Sequence, residues 1–197
     1  MQIYLAQVNP KVGDLEGNLN IFRQVLRESS GADLVVFPEL FLSGFPPQDL
    51  LRKGEFLDSL QACLEELKDL TRTCPTKAIL LGTPWLESDG LYNGAVLLQD
   101  GVIISVYRKQ ELSRFRGFDE TTYFSPGPTA ASVRFRGYNL GLSLGLELDE
   151  DRVTRLKEAG ADLIINLAAI PFRIGDEHRY LEKLSSLART AGIPILR

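Results

Sequence analysis

In GADLVVFPEL (residues 31–40) four apolar residues run without a break from Leu34 to Phe37 and stop at Pro38. A strand with one wet face would alternate apolar and polar residues. An unbroken run needs cover on both faces, as in a sheet with another layer on either side. Pro38 has no N–H to give a ladder, so pairing ends there and Glu39 stands just past the strand's C-terminal end. In open α/β sheets that end is where ligands bind and reacting groups collect.

The same logic extends outward. Upstream, IYLAQV (3–8) reads as a first strand, and GDLEGNLNIFRQVLRESSGA (13–32) places Leu15, Leu19, Phe22 and Leu26 at helical spacing. Downstream, GEFLDSLQACLEELKDLTRT (54–73) lines Phe56, Leu60, Cys63, Leu67 and Leu70 on one stripe opposite Asp58, Gln61, Glu65 and Lys68. Cys63 therefore reads as core packing. KAILLGTP (77–84) is a strand, and LYNGAVLLQDGVIISVYRKQ (91–110) is a hairpin turning at Gln99, Asp100 and Gly101. After the irregular ELSRFRGFDETTYFSPGPT come strands near ASVRF and NLGLSLGLEL, a helix over about Asp149–Gly160, and the strand ADLIINLA. A helix carrying Tyr180, Leu184, Leu187 and Ala191 and a short apolar end, IPIL, close the chain. The expectation is an α/β layered fold in a single domain over 1–197.

Composition narrows the function. The chain has 197 residues, 44% of them apolar, enough for a substantial core. Its 22 basic residues face 26 acidic ones, a net charge of −4 that leaves no Lys/Arg excess for phosphates and argues against nucleic acid. No apolar run approaches the roughly 20 residues of a membrane span, and MQIYLAQVNP lacks the features of a signal peptide, so a cytoplasmic protein is expected. Cys63 and Cys74 have neither metal nor disulfide spacing, and His178 alone makes no histidine-rich metal site. No metal or cofactor is expected, and acid–base chemistry falls to carboxylates, Lys or Tyr.

Three places could carry it. Glu39 follows a buried strand. Lys109 ends another, in SVYRKQEL, where a cation can balance a carboxylate or stabilise an oxyanion. Asp119 and Glu120 lie in GFDETTYFSPG, whose Gly and Pro imply a fixed path. Taken singly, each also reads as a solvated surface charge.

Together, FPELFLSGFPPQDLL, YRKQELSRFRGFDETTYFSPG and GADLIINLAAIPFRIG resemble the nitrilase, or carbon–nitrogen hydrolase, superfamily, and more narrowly the glutaminase domains of glutamine-dependent NAD synthetases. The resemblance covers essentially the whole chain. It implies a four-layer αββα sandwich and catalysis by a Glu, a Lys and a Cys with a second Glu in support. The thiolate attacks an amide carbonyl, giving a thioester and ammonia. By motif the general base falls on Glu39, the oxyanion-stabilising Lys on Lys109 and the supporting Glu on Glu120.

The nucleophile position falls on Gly145. The family's Gly, three apolar residues and Cys-Glu-Asp lie over Gly141 and then Gly145-Leu146-Glu147. Strand side chains alternate, so Ser143 and Glu147 share a face with position 145, each roughly 6.5 Å away. That is too far for rescue when about 1 Å of misplacement costs on the order of 100-fold. The pocket departs as well. Ile170 replaces a Ser expected to help hold the glutamine α-amino group, Asp176 stands where a Lys is often found, and Arg114 and Arg116 replace an Asn and a Gly.

Family domains continue past the match to GIPILR, so a shortened sandwich with an open sheet edge is expected. That edge would be covered by a homo-oligomer or a protein partner. No Ser-Gly-Gly-x-Asp-Ser loop for ATP phosphates and no P-loop occurs in the chain. The leading expectation is a catalytically inactive pseudoenzyme with a binding or regulatory role. The alternatives are an active amide hydrolase of altered mechanism using Glu39 and Lys109, and a non-functional fragment of a longer protein.

Overall fold

The computed structural model describes residues 1–74, 77–115, 117–129, 132–171 and 174–197. Its elements in chain order are β1 (Ile3–Leu5), α1 (Leu15–Glu28), β2 (Leu34–Val36), α2 (Gly54–Arg72), β3 (Ala78–Glu87), β4 (Gly90–Gln99) and β5 (Val102–Arg108). The two-residue strands β6 (Arg114–Phe115) and β7 (Phe118–Asp119) follow, then β8 (Val133–Phe135), β9 (Tyr138–Leu144), α3 (Glu150–Glu158), β10 (Leu163–Leu167), α4 (Asp176–Ala191) and β11 (Ile195–Leu196).

One sheet has the order β1-β2-β3-β4-β5 and the other β11-β10-β9-β8. The strands β1, β2 and β3 are parallel to one another, as are β9, β10 and β11, while β4, β5 and β8 pair antiparallel.

The unbroken apolar run Leu34–Phe37 has its cause in this layering. Leu34 and Val36 point into a core between the two sheets, against Leu142, Leu144 and Ile165. Val35 and Phe37 point the other way, under Leu19 and Phe22 of α1 and Leu60 and Leu67 of α2. In the second sheet Leu163, Ile165 and Leu167 face the shared core, while Ile164 packs with Val153 and Leu156 of α3 and Leu187 of α4. Period-two alternation thus splits each central strand between two dry layers, and the stack is helix, sheet, sheet, helix. The α/β sandwich expected from the sequence is the fold observed.

Several local readings also hold. The hairpin turns at Asp100 and Gly101, both at positive φ (50° and 73°), a geometry that matches the twist of the flanking strands. Asp149 caps α3 by accepting from the Arg152 N–H at 2.8 Å. On α1 the sequence missed Asn18. It is buried, donates to the carbonyls of Lys11 (2.9 Å) and Leu42 (3.0 Å), and so ties the helix to the segment after β2. Cys63 packs against the first core but remains half-buried. Among the described residues no helix is long and apolar enough to cross a membrane.

One reading is corrected. β9 ends at Leu144, and Gly145 takes φ +57°, so the chain turns there instead of carrying the strand to Leu148. Ser143 and Glu147 therefore do not flank position 145 on a common strand face. Ser143 sits opposite Asn166 of β10, whose Nδ2 donates to its Oγ at 3.2 Å, and Glu147 folds back below the turn.

Candidate active site

The C-terminal ends of β2, β5, β9 and β10 meet at one end of the sandwich, and the segments leaving them bring Glu39, Lys109, Gly145 and Ala169 together. Glu39 reaches this place on a tight corner. Leu40 is at φ 51°, and the corner lies on Gly82 of β3, where an added Cβ would fall 2.5 Å from Glu39 Cα and Leu40 N. A side chain there would push Glu39 out of position. Lys109 follows β5 directly, and its backbone N–H donates to the Asn93 carbonyl at 2.8 Å. Glu120 opens a short 3₁₀ turn, Glu120–Thr122, capped by the side chain of Asp119.

Three of the four residues singled out from sequence, Glu39, Lys109 and Glu120, form one cluster, while Asp119 accepts from Thr121. Lys109 Nζ donates to Glu39 Oε1 at 2.8 Å and to Glu120 Oε2 at 2.7 Å. Asn93, which the sequence reading passed over, bridges the same carboxylates from the other side. Its Nδ2 lies 2.9 Å from Glu39 Oε1 and 2.8 Å from Glu120 Oε1. All four side chains are 2% exposed or less. Backbone N–H groups complete the set, from Ala169 to Glu39 Oε2 (3.0 Å) and from Ser113 to Glu120 Oε2 (2.7 Å). The only hint of Asn93 in the sequence is a polar residue inside the apolar run of LYNGAVLL.

In this dry site the charges around Glu39 and Lys109 set the protonation of those two groups. Burial raises the Glu39 pKa above the ordinary carboxylate range; Lys109 pulls it down and Glu120 pushes it up again. Burial works against the Lys109 ammonium, but Glu39 and Glu120 outweigh it and hold its pKa above the ordinary lysine value. The ammonium therefore stays charged, and Glu39 is the group poised to take or give a proton.

Gly145 faces this cluster. A Cβ built on it would lie 2.8 Å from Lys109 Nζ and 3.1 Å from each Glu39 oxygen. A side chain at this residue would lie within reach of both Glu39 oxygens, but the ammonium stands where it would begin. Gly145→Cys is expected to lower the melting temperature by about 2–8 °C. A left-handed L-residue costs roughly 1–2 kcal/mol, and a chain of this size shifts about 2–4 °C per kcal/mol. Thermal denaturation reads this directly, and an unchanged midpoint would mean the turn relaxes without strain.

Beneath the turn lies a second buried network. Glu147 Oε1 accepts from the backbone N–H groups of Gln110 (2.6 Å) and Glu111 (3.0 Å), the two residues after Lys109. Its Oε2 accepts from the Tyr107 hydroxyl and from the Leu144 N–H, both at 2.8 Å. Arg152 of α3 donates to the same Tyr107 hydroxyl at 2.5 Å and to the Gln110 side chain. Burial and then Glu147 push the Tyr107 pKa up, so the hydroxyl stays a donor.

Of the pocket residues, Ile170 lines a cleft with Pro171, Leu181 and Leu184, and Asp176 begins α4, where it pairs with Arg179 at 3.9 Å. Arg114 is exposed, 3.8 Å from Asp119. Arg116 lies outside the described residues. His178 is exposed, and no group of His, Cys, Asp or Glu among the described residues is arranged to hold a metal.

Two facing sheets with a buried Glu–Lys–Glu cluster at their strand ends define a class, and the chain belongs to the carbon–nitrogen hydrolase family, whose sequence pattern matches residues 3–195. Within it the chain is similar to glutamine-dependent NAD(+) synthetases. It is 37% identical over 181 residues to that of Thermotoga maritima (89% of this chain, 31% of the relative). To that of Aquifex aeolicus it is 32% identical over 179 residues (88% of this chain, 31% of the relative). The chain thus spans about a third of the length of these relatives. The structure of the Acinetobacter baumannii synthetase bound to ADP superposes with a TM-score of 0.85 at 26% identity, over 98% of this chain and 37% of that one. A mutant amidase from Nesterenkonia sp. AN1 superposes with a TM-score of 0.84 at 23% identity, over 99% of this chain and 76% of that one. That amidase carries the acetamide moiety of fluoroacetamide covalently on its active-site cysteine.

Proposed function

We propose that this chain is a glutaminase-like carbon–nitrogen hydrolase domain that binds at its former active site and does not cut amides there. The observation that carries this reading is Gly145. Thiolate catalysis needs a sulfur that Glu39 can deprotonate and that can reach a carbonyl held by Lys109. At this position there is no side chain, and the Lys109 ammonium closes to within 2.8 Å of where one would start. Ser143 is held by Asn166, and neither Cys63 nor Cys74 belongs to the cluster, so among the described residues no neighbour supplies the missing group. The retained Glu–Lys–Glu cluster fits the same reading, because deleting one member of a buried charge set costs about 3–5 kcal/mol whether or not the set works as a catalyst. In this reading the domain acts through association, with a second copy of itself or with another protein.

A second reading has one observation in its favour, the raised pKa of Glu39. Glu39 would take a proton from water as its oxygen attacks an amide carbon polarised by Lys109. It would then return that proton to the departing nitrogen, leaving a carboxylic acid and an amine.

Ammonia release from glutamine and a panel of small amides, measured for wild type beside Glu39→Ala, separates the two. No release from either protein is expected. Release by wild type that Glu39→Ala abolishes would overturn the binding reading in favour of water activation.

A further inference from the structure

We propose that the cleft between α4 and the segment Ala168–Pro171 binds a small aliphatic carboxylate, with the Arg197 guanidinium taking the carboxylate and Ile170, Leu181 and Leu184 the chain. This rests on the reading above that the site does not cut amides, and adds a small-molecule ligand to the protein association proposed there.

The cleft has a volume of about 580 Å³ and is lined chiefly by apolar side chains, with Leu181 64% exposed along its wall. A second cleft of about 330 Å³ shares Gln7, Ala168 and Arg197 with it and extends to Pro38, the residue before Glu39. The two therefore form one depression beside the buried cluster. Ala169, between two lining residues, donates its N–H to Glu39 at 3.0 Å.

Charge selects the ligand. Among the described residues Asp176 is the acidic residue lining the larger cleft, and it faces Arg179 at 3.9 Å. Arg197 has no ion-pair partner among the described residues. Its guanidinium lies over the Tyr180 ring, 4.8 Å from the centroid. A guanidinium stacked on one face keeps its in-plane N–H groups free, and their fork matches a carboxylate with two parallel hydrogen bonds. Burial lowers the Arg197 pKa while Tyr180 and Glu39 raise it, and a guanidinium so placed remains cationic. One cation within apolar walls, with Asp176 nearby, suits a monoanion carrying a hydrocarbon body. A phosphate dianion would need a second cation, and Arg197 is the one cation lining the cleft among the described residues. Ala168 and Ile170 supply part of this apolar wall, so the Ile170 that stands where the resemblance expects a Ser also contributes to the new surface.

Calorimetric or NMR titration with hexanoate, hexanamide and hexylamine tests the proposal on the whole chain. Hexanoate is expected to bind wild type with a Kd of about 1 mM or tighter, and the neutral amide and the amine at least about tenfold more weakly. Arg197→Gln should weaken hexanoate about tenfold or more and leave hexanamide unchanged, since only the charge-assisted pair is lost. Leu181→Asp should weaken hexanoate as well. Both positions are at the surface, and matched melting temperatures will confirm that the variants fold. Equal binding of hexanoate and hexanamide, or of hexanoate by wild type and Arg197→Gln, would overturn the carboxylate site. Ammonia release measured on the same preparations keeps the two readings apart. Release with Arg197-dependent hexanoate binding intact sinks the non-cutting reading alone, and no release with no hexanoate binding sinks the carboxylate site alone.

Discussion

Lys109→Met is expected to destabilise the fold by about 3–5 kcal/mol near neutral pH, a fall of roughly 10 °C in melting temperature. Methionine fills much the same volume, so the loss does not come from a cavity. It comes from Glu39 and Glu120, each 1% exposed, which would then share a dry site with no cation. The pH dependence follows from the shifts. Glu39 already has a folded-state pKa above its ordinary value. A raised pKa means its contribution to stability is full below the unfolded value and is lost as pH rises through the folded one. Removing Lys109 takes away the attraction that holds this pKa down, so the loss spreads to higher pH. The gap between wild type and variant should be widest at about pH 8 and narrow toward about pH 5, as Glu39 takes up a proton. Glu39→Gln in the Lys109→Met background should recover part of the stability at about pH 8. Denaturant melts at the two pH values, with and without that second change, check every step. A gap independent of pH would mean the loss is one of packing.

How much of this was legible in the sequence depends on the range over which each feature is decided. The run Leu34–Phe37 declared its two dry faces because alternation is a local property, and the structure gives one face to the inter-sheet core and the other to α1 and α2. Asp100 and Gly101 declared their turn for the same reason. Glu39, Lys109 and Glu120 could be named singly from their positions after strands, but nothing local says that they touch. Their contacts join residues 70 and 11 positions apart in the chain. Asn93 was missed on the same ground, since its meaning lies in bridging two carboxylates that two other segments deliver.

Gly145 shows the opposite failure. Assuming that alternation continued along NLGLSLGLEL put Ser143 and Glu147 on one face with position 145. Glycine instead permitted the left-handed turn that ends β9. A strand's period cannot reveal where the strand stops when no proline or polar cluster marks the place.

Glu147 follows from that turn, and Glu147→Leu is expected to cost the fold about 3–5 kcal/mol, as large an effect as losing Lys109. The carboxylate is 2% exposed and accepts four hydrogen bonds, from the backbone of Gln110, Glu111 and Leu144 and from the Tyr107 hydroxyl. Leucine fills a similar space and accepts none of them, so three backbone donors and a hydroxyl lose their acceptor. Arg152, 3% exposed, loses the anion it meets through Tyr107. The effect should also be directional. Gln110 and Glu111 follow Lys109 immediately, and Leu144 precedes Gly145, so Glu147 clamps the segment carrying the cation to the turn carrying the glycine. Glu147→Gln keeps the shape but offers a single acceptor oxygen, and its NH₂ confronts two of the original donors. It should fall between wild type and leucine in stability. It should also speed amide exchange at Gln110, Glu111 and Leu144, while leaving the strand amides of β3 protected. Exchange measured by NMR on Glu147→Gln distinguishes a clamp from a general stabiliser. Faster exchange confined to those three amides is the expected pattern. A uniform rise across both sheets would mean that Glu147 supports the core and does not position Lys109.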